Sequence, residues 1–386
     1  MFVEITNTPR DYAWGRTGQI TELLTGTASD AVEAELWLGA HHGSPSRAVD
    51  PASLQGHADL ASAVEAIPEI TAGTGRFPFL LKVLAAGTPL SLQAHPTAEQ
   101  AREGFERENA AGIPIDASHR NYKDPHPKPE LIVALTERFE ALSGFRPAAE
   151  ARADVEAIAG DPAVVQALTA RLDSDATIGD AFVWLLSGAP EVAPIVQAVT
   201  AGALADPDRW RIPAWIAGLY PGDPGIVGAL LLHHVVLGRG EALYLPAGNI
   251  HAYLDGVGIE LMNASDNVLR GGLTPKHVDV AELASVVERA AGPAPLLAPI
   301  ELAAGVREYR PEDPAASFRL VRLDSEQVVH ASVGLKGPAI ALCLGGAFSM
   351  TGERGEVSIS RGQAVLVTPE ERELSVTGSG LLFVAR

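Results

Sequence analysis

Gln93, His95 and His251 have the types and spacing of metal ligands. Gln93 and His95 lie two apart in an apolar run. On a strand, that interval projects both side chains from one face. His251 comes just after the Pro246-Ala247-Gly248 turn, where the mouth of a barrel would place a ligand. Two imidazoles and one amide oxygen need a carboxylate to complete a four-ligand site of borderline hardness, which suits Zn²⁺. Two carboxylates compete for that place. Glu99 falls four residues after His95, in a helix that Pro96-Thr97 would start. Glu130 closes the run Lys128-Pro129-Glu130, where prolines 125, 127 and 129 keep the backbone extended and present Lys128 and Glu130 on one face.

The elements that must position these groups read as strands. Phe79 to Leu84 is a buried apolar run, followed by a Gly-Thr-Pro turn and a second strand, Leu90 to His95. Leu131 to Leu135 continues from Glu130 as a buried strand, and Gly258 to Met262 continues from His251. Near the start, Leu36, Leu38 and Ala40 alternate as in a strand. There the adjacent His41 and His42 would point to opposite faces and could not share one metal. From about 147 to 205 the chain turns Ala-rich, with Val and Leu at three-to-four spacing, which predicts several helices carrying no chemistry. Strand patterning returns near Ile226. Asp279 with Glu282 reads as a capping box for a helix to about Ala290. After a Pro-rich linker at 292–299, short alternating segments predict a small jelly roll or barrel. The expected domains are 1–146 with 221–290, carrying the site; a helical insertion at 147–220; and 291–386.

Bulk composition narrows the function. With 386 residues, 47% hydrophobic and 20% charged, the chain has ample core and ordinary globular balance. A net charge of −19 leaves no basic face for nucleic acid or an anionic membrane. The single cysteine, Cys343, forbids an internal disulfide and suits the cytoplasm. No signal peptide is read at the start, and the longest apolar run, 226–237, is too short to span a bilayer. A cytoplasmic monomer is expected. Of 29 basic residues only five are Lys, at 82, 123, 128, 276 and 336. A coding bias toward Arg would spare lysines where a compact, titratable ammonium matters, and four of the five fall within the motif blocks.

Those blocks carry a resemblance. Gly87, five residues, then Gln93-Ala94-His95 is similar to the first motif of the cupins, the small metal-binding jelly rolls, with Gln in place of the leading His. Gly240, Pro246, Gly248 and His251 fit the second motif, with Asp255 where it has Asn. The fold expected is mainly β with a helical insertion: two cupin-type jelly rolls plus an α-helical domain. The second roll has only a faint echo at Gly362 and Pro369, with no His near either, and should hold no metal. Residues 12–15 (YAWG), 35–41 (ELWLGAH), 91–96 (SLQAHP), 121–124 with 128–130, and the whole of 248–280 closely resemble type I mannose-6-phosphate isomerases. The resemblance covers most of residues 1–290. It implies an enzyme with one zinc per chain that interconverts mannose 6-phosphate and fructose 6-phosphate. It places the ligands on Gln93, His95, Glu130 and His251, which decides the carboxylate, and the catalytic arginine on Arg270. One position departs: the family has His immediately before Lys-Pro-Glu, whereas here Pro127 stands there and the His is at 126.

Moving a proton between C1 and C2 through an enediol sets three demands. The enediolate needs a metal or cationic partner, met by zinc and Arg270. One group must carry the proton near neutral pH, and Lys128 and Glu260 are rivals for it. A cationic nest must hold the phosphate, for which Lys82, Ser91 and Lys276 are the candidates. Two other readings are a metal-dependent cupin oxygenase, which would favour His-rich ligation, and a non-catalytic sugar-phosphate sensor. Arg270 together with Lys128 and Glu130 argues against the sensor.

Overall fold

A computed structural model describes residues 1–386. Period-two alternation sorts its central strands into two faces, both of them buried, so the strands read as unbroken apolar runs. In strand Phe79–Ala86, Leu81, Val83 and Ala85 enter one core, while Lys82 turns the other way with Leu84 and Ala86. Strand Glu130–Ala134 repeats the pattern: Leu131 and Val133 face the first core, and Ile132 and Ala134 the second, with Glu130 on their side.

These strands build a two-layer antiparallel sandwich. One layer runs Glu35–Leu38, Phe79–Ala86, 256–263, Glu130–Ala134 and Ala242–Leu245. The other runs Leu232–Leu237, Phe139–Phe145, 251–255, Gln93–Ala94 and Leu269–Arg270. A single strand, His251–Asn263, belongs to both. Its register shifts between Tyr253 and Asp255, and at Gly256 (φ +122°) it passes from one layer to the other. A Cβ at Gly256 would come within 2.8 Å of the Phe139 Cα, so glycine is required by space as well as by dihedral.

Helices 148–159, 162–169, 178–185, 192–205 and 211–219 form the expected insertion. Asp161 caps the second, with Pro162 at its first position. The block packs its apolar faces on the outside of the second layer, against Leu142, Ile250, Ala252 and Leu254. On the other side of the sandwich lies a second nine-stranded sheet. The core between them joins Leu36, Leu81 and Ile259 to Leu320, Ile340 and Phe383. Its three longest strands, Leu320–Gly334, Ala339–Thr351 and Glu373–Ala385, outrun the short segments expected from alternation. Bulges at Ser325/Val329 and Cys343/Gly345 break the period while pairing continues. The first strand, Phe2–Thr6, pairs with Ala364–Val367 of this sheet and not with the sandwich.

Three local expectations change. The strand through Leu36 ends at Leu38, because Gly39 (φ +151°) turns the chain. His41 and His42 are therefore not on a strand, and their rings stack at 4.6 Å instead of pointing apart. The run Leu90 to His95 pairs as a strand only at Gln93–Ala94. The helix capped by Asp279 stops at Val286. No helix is long and apolar enough to cross a membrane.

Candidate metal centre

The two layers meet in the sandwich interior, where a cluster of polar groups lies beside the apolar core. Glu130 comes from one layer and His251 from the other, and His95 follows the short strand Gln93–Ala94. His95, Glu130 and His251 are fully buried, with ligand atoms all within 4.8 Å of one another. His95 Nε2 lies 3.3 Å from Glu130 Oε1, and His251 Nε2 lies 3.4 Å from Glu130 Oε2. Glu99, the rival carboxylate, is exposed on helix Ala98–Ala110.

Hydrogen bonds at the far side of each ring fix the tautomer. His95 Nδ1 donates to the Asn267 carbonyl at 2.8 Å, and His251 Nδ1 donates to the Asn249 carbonyl at 3.0 Å. Each Nε2 is then an unprotonated lone pair aimed at its neighbour. Both Nε2 atoms and Glu130 Oε2 are buried without a hydrogen-bond partner. Three orphaned acceptors converging in an apolar interior are costly unless a cation satisfies them. One carboxylate and two neutral imidazoles, each oriented by a second partner, fit zinc. Gln93, half-buried, is the direct cross-strand neighbour of both His251 and Arg270, which brings its amide to the same spot on the sheet. Burial alone would raise the Glu130 carboxyl. The Lys128 ammonium, 2.5 Å from Glu130 Oε1, holds it well below the usual range.

Lys82 and Glu260 are direct cross-strand partners on the same inner face. The Lys82 Nζ lies 2.8 Å from Glu260 Oε2 and 3.2 Å from Glu35 Oε1. Burial would drive its proton off, but these two carboxylates and Glu130 keep the ammonium charged. One ammonium cannot neutralise all of them. Glu260 is consequently pushed upward, by burial first and by Glu130 and Glu35 next, against the pull of Lys82. Tyr253 sits two residues after His251 on the same face, its hydroxyl buried without a partner. Burial and the charges of Glu260 and Glu130 raise it far above its ordinary value.

Arg270 is the cross-strand partner of Gln93, and Lys276 follows six residues on. Burial, then Arg270 and Lys123, push the Lys276 ammonium down, so three cations share one region. Ser91 is half-buried, two residues before Gln93. Lys82 is not in this group: its charged neighbours are the carboxylates of the interior. Asp255 is not in the centre either, being ion-paired with Arg16.

Three contributors escaped the sequence reading. Glu35 could have been suspected as a charge directly ahead of an apolar strand, and Tyr253 from its two-residue interval after His251. Asn267 had no such signal. Fully buried, it accepts from Lys123 N at 2.8 Å and donates to the Asp124 and His126 carbonyls at 2.7 and 2.9 Å. It thereby ties the 123–126 loop to the segment that orients His95. His126 itself lines a cavity of about 530 Å³ beside the centre, with His41, His42, Lys123, Asp124 and Asp266. None of the three buried ligands lines that cavity.

The chain is similar to known proteins along its whole length. Residues 2–148 match the family described as phosphomannose isomerase type I, catalytic domain. The chain is 35% identical over 388 residues to the mannose-6-phosphate isomerase of Escherichia coli (strain K12), covering 98% of each. It is 30% identical to mannose-6-phosphate isomerase 1 of Arabidopsis thaliana, covering 98% of this chain and 91% of that one. The crystal structure of the Salmonella typhimurium mannose 6-phosphate isomerase bound to fructose 6-phosphate and zinc superposes with a TM-score of 0.86 at 33% identity. The match covers 100% of this chain and 98% of that one.

Proposed function

Because the chain belongs to the type I mannose-6-phosphate isomerase family, we infer that it is a zinc-dependent aldose–ketose isomerase interconverting mannose 6-phosphate and fructose 6-phosphate. The observation that carries this reading is the convergence of three buried, partnerless acceptors on His95, Glu130 and His251. Gln93 is assigned as the fourth ligand. When bound, zinc supplies the positive charge that stabilises an enediolate at C1 and C2. Arg270 adds a fixed guanidinium to the same developing charge, while Lys276 and Ser91 face the phosphate end. Lys82, expected at the phosphate, is assigned instead to hold Glu260 among its carboxylate neighbours.

Glu260 is the better-supported proton carrier, since burial raises its carboxyl above the ordinary carboxylate range while Lys128 is bonded to a metal ligand. Lys128 would hold Glu130 in place and contribute its charge near the reacting oxygens. The division into a catalytic unit (1–146 with 221–290), a helical insertion (147–220) and a C-terminal unit (291–386) is supported by the grouping of the helices over 148–219 and by a core confined to residues 306–384, with Phe2–Thr6 assigned to the last by its strand pairing. A monomer working in the cytoplasm suits the single buried cysteine and the acidic surface.

The test is conversion of mannose 6-phosphate by purified protein with and without chelator, beside Glu260→Gln and Lys128→Arg variants checked for retained zinc. Chelation should abolish turnover and added zinc restore it. Glu260→Gln should lower kcat by about 10²–10⁴-fold with zinc retained, the range for losing a general acid–base. If Lys128→Arg collapses while Glu260→Gln turns over normally, the two roles are exchanged.

A further inference from the structure

We propose that the seam between the C-terminal sheet and the metal-bearing sandwich is a second oxyanion site, built by Arg239, Arg307 and Arg322 and fitted to a phosphate group. Arg307 and Arg322 are direct cross-strand partners. Like charges placed opposite one another destabilise a sheet, and Glu301, the cross-strand neighbour of Arg307 on its other side, makes no ion pair with it, which leaves the Arg pair open to an anion. Arg322 is only 6% exposed and its Nε has no partner. Its guanidinium reaches across the seam to Gly240, where a Cβ would meet Nη1 at 2.1 Å, so the turn carries glycine (φ +83°) to let it through. Arg239 is the residue before that glycine.

The three arginines line a cavity of about 260 Å³, completed by Gly305 and Asp324, with no apolar side chain. At ~30 Å³ per water, there is room for several waters or a small phosphate-bearing molecule. Asp324 is its sole carboxylate. It pairs with Arg322 and lies 3.8 Å from Arg239. Three positive groups face one negative group, in a chain of net charge −19. A phosphate in the cavity would accept from the accessible Arg239 and Arg307 guanidinium groups and balance the excess, in the fork geometry that guanidinium favours.

The position gives the site a consequence. Tyr309 Oη, beside the arginines, donates to the Gly240 carbonyl at 2.7 Å, and Gly240 N donates to the Ala134 carbonyl at 2.8 Å. The turn leads into strand Ala242–Leu245, whose Leu245 is paired with Glu130. A bound anion therefore clamps the C-terminal sheet to the strand beside the metal carboxylate. It would act on stability without touching the reacting atoms.

The test compares wild-type holoenzyme with Arg307→Ser and with Arg239→Ser/Arg307→Ser at constant ionic strength. The salts are chloride, inorganic phosphate and glycerol phosphate. In chloride, Arg307→Ser should melt at or above the wild-type midpoint, because a like-charge opposition is gone. In millimolar phosphate the wild type should gain about 2 °C or more over either variant. Phosphate bound at the candidate active site, by Lys276 and Ser91, is common to all three proteins and cancels in the difference. A larger gain with glycerol phosphate points to a phosphate ester as the natural occupant, and a larger gain with inorganic phosphate to the free ion. Calorimetric titration with phosphate should count one site more in wild type than in Arg307→Ser. Equal site counts, equal phosphate gains, or a lower midpoint for Arg307→Ser in chloride would each overturn the assignment.

Discussion

The chain gathers two imidazoles and a carboxylate twice, at His95–Glu130–His251 and at His41–His42–Asp266. Ligand types and closeness are the same, and the difference lies on the other side of each ring. His95 and His251 give their Nδ1 protons to carbonyls, which frees both Nε2 lone pairs. His41 Nδ1 instead accepts from the Gly43 N–H at 3.1 Å, so its proton sits on Nε2 and is donated to Asp266 at 2.9 Å. The first trio lacks a partner for each of its central atoms. The second is already satisfied as a hydrogen-bonded pair, with His42 largely exposed beside it. Donor identity makes a metal site conceivable, and the second partner of each histidine decides whether it is one.

The sharpest way to break this comparison is to delete one histidine from each trio. His251→Ala should lose zinc and lower kcat by ~10³-fold or more, beyond the loss of a single electrostatic donor. His41→Ala should keep one zinc per chain. Elemental analysis on both purified variants reads the outcome, and loss of zinc from His41→Ala would mean the two trios are linked. Next in size is Asn267→Ala, which leaves the His95 acceptor in place but frees the loop behind it. Zinc affinity should fall by about 10–100-fold, the usual effect of removing an orienting partner, measured by competition with a chelator. Unchanged affinity would show that the carbonyl is held without the side chain.

A smaller effect separates the trios by pH. Burial would raise Asp266, but the His41 hydrogen bond and the neighbouring charges hold its carboxyl at about 2. A depressed carboxylate stabilises the fold above its unfolded value near 4 and loses that contribution as pH falls from about 4 to about 2. Asp266→Asn should flatten acid unfolding in that window by of order 1 kcal/mol, discounted because the side chain is about a third exposed. An identical acid profile for the variant would remove the pair's stabilising role. The smallest effect belongs to His42→Ala, which should leave zinc content unchanged and stability within about 0.5 kcal/mol.

Most of the inner trio was legible from spacing and from resemblance. Gln93-Ala94-His95, Lys128-Pro129-Glu130 and Pro246-Ala247-Gly248 followed by His251 are local patterns, and period-two alternation assigns their side chains to a face without any knowledge of partners. The helical insertion was equally plain, because three-to-four spacing over about 147–205 is a property of the segment itself. Sequence alone left Glu99 and Glu130 even, since both are carboxylates near a ligand. Burial separates them in the fold.

What only the tertiary structure decided concerns partners distant in the chain. Asn267 against His95, Lys82 between Glu35 and Glu260, and His41 against Asp266 each join residues from different segments. The lone lysine inside an apolar strand could be seen in the sequence, but the carboxylates that take its charge could not. The adjacent histidines could be placed on opposite faces only while the strand was assumed to continue, and Gly39 ends it. Phe2–Thr6 shows the same limit for strands: alternation gives it an apolar face, yet its partner lies more than 350 residues away in the chain, at Ala364–Val367. Local sequence fixes which groups share a face. The pairing of strands, and with it the proton on each imidazole, depends on contacts that no local pattern encodes.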